Sequence, residues 1–280
     1  MTKTWFITGT SSGLGRLLTE RLLARGDLVV ATLRQPEALT SLAKQYGDQL
    51  HIFTLDVTEP QAIRSVVAEA FQRAGPIDVV VSNAGYALFG AAEEASDAQI
   101  ERQIATNLMG SIQLIRAFLP HLRAQNGGRI VQLSSEGGQI AYPNFSLYHA
   151  TKWGIEGFIE SVAQEVAPFG IDFLIVEPGP TGTNFVEGLD RAQPMSCYED
   201  TSAGELRRAI ASGAFAIRGD AGRTVDAMIA AADAVNPPLR LALGSTAYTS
   251  ISQALANRQN QLEAQKKWHF LLIGMAQLNE

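Results

Sequence analysis

Two side chains frame the chemistry open to this chain: Tyr148 and Lys152, four residues apart in Tyr148-His149-Ala150-Thr151-Lys152. Residues with that spacing share one face of a helix. An ammonium is thereby set beside a phenol, the arrangement that makes a phenol a usable acid or base near neutral pH. A tyrosine and a lysine that merely share a helix would look the same. Other groups accompany them, however. Ser135 stands thirteen residues before the tyrosine, and the glycine-rich run Thr8-Gly9-Thr10-Ser11-Ser12-Gly13-Leu14-Gly15 lies near the start of the chain. Glycines there let the backbone take positive φ and let a phosphate come close. A helix starting behind them offers free N–H groups and a positive dipole end to an anion.

The elements that must position these groups show as apolar runs of strand length alternating with helix-length segments. That is the pattern of an α/β, doubly wound, mostly parallel sheet. Strands are expected over residues 4–8, 27–33, 50–55, 77–82, 129–133 and 171–176, with a short seventh over 240–243. Helices are expected over 14–25, 59–74, 97–125, 147–167, 199–211, 220–234 and 246–267. Asp56-Val57, Asn83-Ala84-Gly85, Ser134-Ser135 and Glu177-Pro178-Gly179 then fall just past strand carboxyl ends. In an open parallel sheet that edge is where ligands bind. From residue 180 to about 195 the pattern breaks into Gly, Pro, Thr and Asn, which reads as a mobile loop; a substrate lid is expected over about 180–215. With no repeat and no linker, residues 1–280 read as a single domain.

The chain has 280 residues, 46% of them hydrophobic, enough to fill the core of one large α/β domain. A net charge of −6 argues against nucleic acid as the main partner. No run reaches the roughly 18 apolar residues of a membrane span, and the N-terminus lacks a signal-peptide layout. The one cysteine, Cys197, excludes an internal disulfide and a cysteine-based zinc site. A cytoplasmic protein without a metal is the expectation.

The glycine spacing is GxxxGxG, not the GxGxxG of the dinucleotide fingerprint. A glycine turn that only joins strand to helix is the bland alternative. Together with Asn83-Ala84-Gly85, Asn107, Ser135, Tyr148 and Lys152, this spacing closely resembles the short-chain dehydrogenase/reductase family. It is similar to the compact single-domain branch, and in detail to bacterial relatives of retinol and 17β-hydroxysteroid dehydrogenases. The resemblance implies a seven-stranded Rossmann-type sheet and hydride transfer between a nicotinamide and a carbonyl or alcohol. It implies Tyr148 as general acid or base, with its pKa lowered by Lys152 and by an oxidised nicotinamide. Lys152 would also bond the nicotinamide ribose, Ser135 would hold the substrate oxygen, and Asn107 would place a relay water. Gly9, Ser11, Ser12, Gly13, Leu14 and Gly15 would bind the pyrophosphate side of the cofactor. Asp56, Val57, Asn83, Ala84 and Gly85 would line the adenosine pocket. Pro178, Gly179, Thr181 and Thr183 would contact the nicotinamide amide and the pyrophosphate. A homodimer or homotetramer is implied as well, through helices 97–125 and 147–167.

Several residues keep two readings. Asp56 is as well suited to capping a strand-end turn. The second strand ends in Leu33-Arg34 with no acidic residue for a ribose 2′-OH, so Arg34 points to a 2′-phosphate and to NADP(H) over NAD(H). Arg34 could instead be a solvated charge, and Ser12 stands where many NADP-preferring relatives carry a basic residue. Tyr142, Phe145, Phe185 and Tyr198 suit an apolar substrate pocket or plain packing. Glu136 is expected to face solvent. His149 is expected to face away from the tyrosine without a role, and Cys197 is expected to be a small lid residue. A dinucleotide-binding sensor without turnover is the first rival reading, and an epimerase or dehydratase that keeps NAD bound and recycles it is the second; an apolar tail over 268–278 would pack on this chain or a neighbour.

Overall fold

The computed structural model describes residues 2–183 and 185–266. In chain order its main elements are β1 (Thr4–Thr8), α1 (Gly13–Arg25), β2 (Leu28–Leu33), α2 (Thr40–Tyr46), β3 (Leu50–Thr54), α3 (Pro60–Ala74), β4 (Val79–Ser82), β5 (Leu88–Phe89), α4 (Asp97–Ile104), α5 (Gly110–Ala124), β6 (Gly128–Leu133), α6 (Ser146–Val166), β7 (Ile171–Pro178), β8 (Asp190–Arg191), α7 (Ser202–Ala211), α8 (Ala221–Asp233), β9 (Arg240–Leu243) and α9 (Ser245–Ala264). The main sheet has seven strands in the order β3-β2-β1-β4-β6-β7-β9, and every pair is parallel.

Strand alternation sorts the core into two layers. Phe6 of β1 faces one way, into a cluster with Ile63 and Val67 of α3, Phe118 of α5 and Ile155 and Ile159 of α6. Its neighbours Trp5 and Ile7 face the other way, against Leu18 and Leu22 of α1 and Val225 and Met228 of α8. Both sheet faces are therefore covered, as an all-parallel sheet requires. The strand order reverses between β1 and β4, which opens a crevice at their carboxyl ends. The glycine turn after β1 and Asn83 after β4 meet there.

The sheet agrees with the expected seven strands, and the differences are local. Helix α2 lies in a stretch left without an element. The expected helix over 97–125 is interrupted by a π turn over Ala105–Met109, in which the Gly110 N–H reaches back to the Ala105 carbonyl. Such an extra residue per turn leaves no mark on apolar spacing, and it is common at functional sites. The stretch expected to be a mobile loop is tied down: β8 within it pairs with β5 in a separate two-stranded sheet, and Leu189 is buried. Arg207 of α7 also grips the buried Glu94 carboxylate with two bonds of 2.8 Å, and Glu94 accepts the Met195 N–H at 2.7 Å. Burial works against the Glu94 charge, but these bonds outweigh it and lower the carboxyl pKa. The apolar tail over 268–278 lies outside the described residues.

Candidate active site

The glycine turn is built by contact with the end of β4. Gly9 has φ of 72°, and an added Cβ would stand 2.8 Å from the Ala84 Cα. A Cβ on Gly15 would stand 2.4 Å from both Asn83 Nδ2 and the Gly9 carbonyl. Asn83 Nδ2 donates to the Thr8 and Gly9 carbonyls at 2.7 and 3.0 Å, so it clamps the turn. Behind it, α1 begins at Ser12 with no side-chain cap and no acidic residue in its first turn. Its first N–H groups and dipole end are thus left for an outside anion, which fits a pyrophosphate.

One cavity of about 760 Å³ runs from this turn across the sheet edge. Gly9, Ser11, Ser12, Gly13 and Leu14 line one end, with Arg34, Asp56, Val57, Asn83, Ala84 and Gly85 beside them. Ser135, Tyr148, Lys152, Pro178, Gly179, Thr181 and Thr183 line its middle. Two expected site residues are not in that wall. Gly15 packs behind the turn, as its contacts with Asn83 show. Asn107 sits in the π turn, with Oδ1 accepting the Tyr86 N–H at 3.1 Å and Nδ2 donating to the Tyr86 carbonyl at 2.8 Å. Its side chain therefore braces the loop after Asn83-Ala84-Gly85.

Helix α6 carries Tyr148 and Lys152 on its buried face. Lys152 Nζ donates to the Leu133 carbonyl at 2.8 Å and lies 5.5 Å from the Tyr148 ring centre. Ser135, past the end of β6, accepts the Gly137 N–H at 3.0 Å on its Oγ. Burial pushes the Tyr148 phenol up to about 12, against the lowering effect of the Ser135 hydroxyl. Burial likewise pulls the Lys152 ammonium down to about 8, against the raising effect of Glu156. In the protein alone desolvation sets the direction of the shift; the expected lowering joins Lys152 with an oxidised nicotinamide. The phenol stands as a firmly protonated donor.

Glu136 corrects the expectation of a solvent-facing side chain. It is only 2% exposed, and its Oε1 accepts from the Tyr142 hydroxyl at 2.5 Å. Burial holds its carboxyl above the ordinary range, although the Tyr142 bond opposes this. His149 also has a part: its Nε2 accepts the Tyr142 N–H at 3.1 Å, and its Nδ1 faces the Gly137 carbonyl at 2.8 Å. Both bonds are made only by the neutral ring with its proton on Nδ1. The ring thus holds the loop that follows Ser135 at two points. Gly137 has no side chain because a Cβ would stand 2.7 Å from that Nδ1.

A third buried group, Glu156, ties the same loop to the sheet. It accepts from Ser134 Oγ, from Gln139 Nε2 at 2.6 Å and from Arg240 Nη1 at 2.5 Å. Arg240 also bonds Glu177 at 2.5 Å and Glu160 at 2.8 Å. Burial works against the Arg240 charge, but its carboxylate partners prevail and raise its pKa. Sequence reasoning missed this hub. The pair Gly137-Gly138 directly after Ser135-Glu136 was the available sign that something presses on the loop.

Asp56 realises its turn reading: Oδ1 accepts from the Thr58 N–H and hydroxyl at 2.9 and 2.8 Å. Arg34 is exposed on the cavity wall and has no ion-pair partner among the described residues. Tyr142, Phe145 and Phe185 line the far end of the cavity with Val186, Leu189 and Ile210, whereas Tyr198 is outside that lining. Cys197 is exposed. Among the described residues no cluster of three or more His, Cys, Asp or Glu could hold a metal ion, and no helix is long and apolar enough to cross a membrane.

A family model described as short chain dehydrogenase matches residues 3–194. The chain belongs to the short-chain dehydrogenase family, a family of oxidoreductases. It is 34% identical over 277 residues to Oxidoreductase BOA17 of Botryotinia fuckeliana, covering 99% of this chain and 100% of that one. The crystal structure of a short-chain dehydrogenase from Streptomyces avermitilis superposes with a TM-score of 0.90 at 37% identity, covering 98% of this chain and 100% of that chain. A short-chain dehydrogenase of Burkholderia cenocepacia in complex with NADP superposes with a TM-score of 0.73 at 25% identity, covering 94% and 97%. In this chain a buried carboxyl, Glu136, follows Ser135 directly.

Proposed function

We propose that this dehydrogenase moves a hydride between a nicotinamide dinucleotide, NADP(H) in preference to NAD(H), and a carbonyl or secondary alcohol, with NADPH-dependent reduction of a hydrophobic ketone or aldehyde as its direction. The observation that carries the reading is the place of Tyr148. Its proton-holding phenol and Ser135 line one cavity together with the glycine turn before α1 and with Phe145 and Phe185. The dinucleotide, when bound, supplies the hydride. Ser135 Oγ then bonds the carbonyl oxygen and fixes its position. Tyr148 donates its proton to that oxygen as negative charge develops there. The Lys152 ammonium bonds the nicotinamide ribose and draws the phenolate left behind toward stability. Asn107 holds the loop against α6 and places the relay water. Gly9, Ser11, Ser12, Gly13 and Leu14 bind the pyrophosphate, with Gly15 allowing the turn to close. Asp56, Val57, Asn83, Ala84 and Gly85 receive the adenosine, and Pro178, Gly179, Thr181 and Thr183 the nicotinamide side.

The preference for NADP(H) rests on Arg34, exposed on the wall at the end of β2 where no carboxylate competes for a 2′-phosphate. The NADP complex of the Burkholderia relative supports the same choice. A single domain with residues 180–215 as substrate lid, a homodimer or homotetramer through α4, α5 and α6, and a cytoplasmic location complete the proposal. NADPH and NADH oxidation, followed by absorbance across hydrophobic ketones, aldehydes and quinones, tests it. Turnover confined to one carbonyl class and faster with NADPH supports the reading; tight NADPH binding without turnover on that panel contradicts it.

A further inference from the structure

The reaction above leaves Glu136 unused. Glu136 lines the same cavity as Ser135, and its charge is felt at the Tyr148 phenol. Its Oε1 accepts a hydrogen bond from the Tyr142 hydroxyl. Its Oε2 is buried and has no hydrogen-bond partner among the described residues. That oxygen lies near the Gly179 backbone, where an added Cβ would stand 3.4 Å from it. Tyr142 and Gly179 line the cavity as well. An unpaired buried acceptor is costly to keep, so its persistence calls for a partner. Tyr142, with its hydrogen committed to Glu136, has only lone pairs left to offer. The pair presents acceptors and asks for a donor.

We propose that Glu136 and Tyr142 select substrates that carry a hydrogen-bond donor, a hydroxyl or ammonium group, close to the reacting carbon. The preferred substrates are then hydroxy- or amino-ketones and the matching alcohols, not simple apolar ketones. This rests on the reductase reading above. Ser135 and Tyr148 hold the carbonyl oxygen, Glu136 and Tyr142 take the neighbouring donor, and Phe145 and Phe185 pack on the apolar remainder. The amide of a nicotinamide carries N–H donors of the same chemistry, so the test must separate the two sources.

The full chain is assayed with NADPH and two size-matched forms of one aryl ketone, α-hydroxy and α-methyl, together with the larger α-methoxy form. The expected kcat/KM for the hydroxy form exceeds that for the methyl form by at least about tenfold, because the methyl group keeps the bulk and lacks the donor. In Glu136→Gln and in Tyr142→Phe that ratio falls below about threefold, while the NADPH Kd from fluorescence stays at the wild-type value. Tyr142→Phe keeps the ring and carries the test if Glu136→Gln does not fold. A wild-type ratio near one, or a tenfold ratio kept in both variants, overturns the proposal. A tenfold loss of NADPH affinity in Glu136→Gln with the ratio kept assigns the carboxyl to the nicotinamide amide and overturns it too. No turnover of any of the three ketones overturns the reductase reading, and this proposal with it.

Discussion

Gly138→Ala should unfasten the catalytic loop, and the geometry sets the size of the effect. An added Cβ would stand 1.8 Å from Glu156 Oε1, 2.4 Å from its Cδ and 2.9 Å from Ser134 Oγ. The carboxylate would have to move by more than an ångström to reach a tolerable contact. It is not free to do so, because Ser134, Gln139 and Arg240 all bond it and the residue is 2% exposed. Breaking a buried ion pair costs about 3–5 kcal/mol, and overpacking alone about 1–3 kcal/mol. We expect a loss of about 3 kcal/mol, which for a domain of this size lowers Tm by roughly 6–12 °C. Gly157→Ala, next to Glu156 on α6, is the matched control. Nothing lies within 4 Å of a Cβ there, and the residue is exposed in the interior of α6. Alanine in that place should add about 0.5–1 kcal/mol by helix propensity. Calorimetry on the three proteins decides. A Gly138→Ala Tm within 2 °C of wild type, or a Gly157→Ala loss as large as that of Gly138→Ala, would refute the reasoning.

Other consequences follow from single residues. Arg34→Ala should weaken NADPH binding by tenfold or more, about the worth of one charge-assisted phosphate contact, and leave NADH binding nearly unchanged; equal losses would remove Arg34 from the phosphate site. His149 is held below its ordinary 6.5 by burial, although its bond to Gly137 works the other way. The unfolded chain therefore takes up this proton first as pH falls. The stability it contributes is complete above pH 6.5 and declines below it, by up to about 1.4 kcal/mol per pH unit. His149→Gln should flatten that acid slope in urea melts repeated across pH, and an unchanged slope would count against the neutral-ring assignment. Lys152, pulled down to about 8, should lose its charge as pH rises past that value. NADPH affinity measured by titration should then fall above pH 8 in wild type, and hold in Lys152→Arg.

The strands and the cavity wall were legible because they rest on local signals. Apolar runs such as Val79–Ser82 and Gly128–Leu133 mark strands, and glycines and short polar residues mark the strand ends where the cavity opens. What escaped depends on distant contacts. Glu136 looked solvent-bound because a carboxylate after a strand end usually is; only Tyr142, six residues on, and the approach of Gly179 bury it. Arg240 read as the first residue of a short strand, yet it joins Glu156, Glu160 and Glu177, far from it in sequence. The π turn around Asn107 preserves the apolar face of a helix, so the spacing of residues 97–125 could not reveal it. The two-residue strands β5 and β8 are too short to carry a period.

The most direct test of the mechanism compares Tyr148→Phe with wild type in two measurements on one preparation. Both are titrated with NADPH, and both are assayed for NADPH-dependent reduction of the best carbonyl substrate. Loss of a positioned general acid should lower kcat by about 10²–10⁴-fold while leaving NADPH Kd within about threefold. A variant that keeps near-wild-type turnover would show that the phenol does not supply the proton.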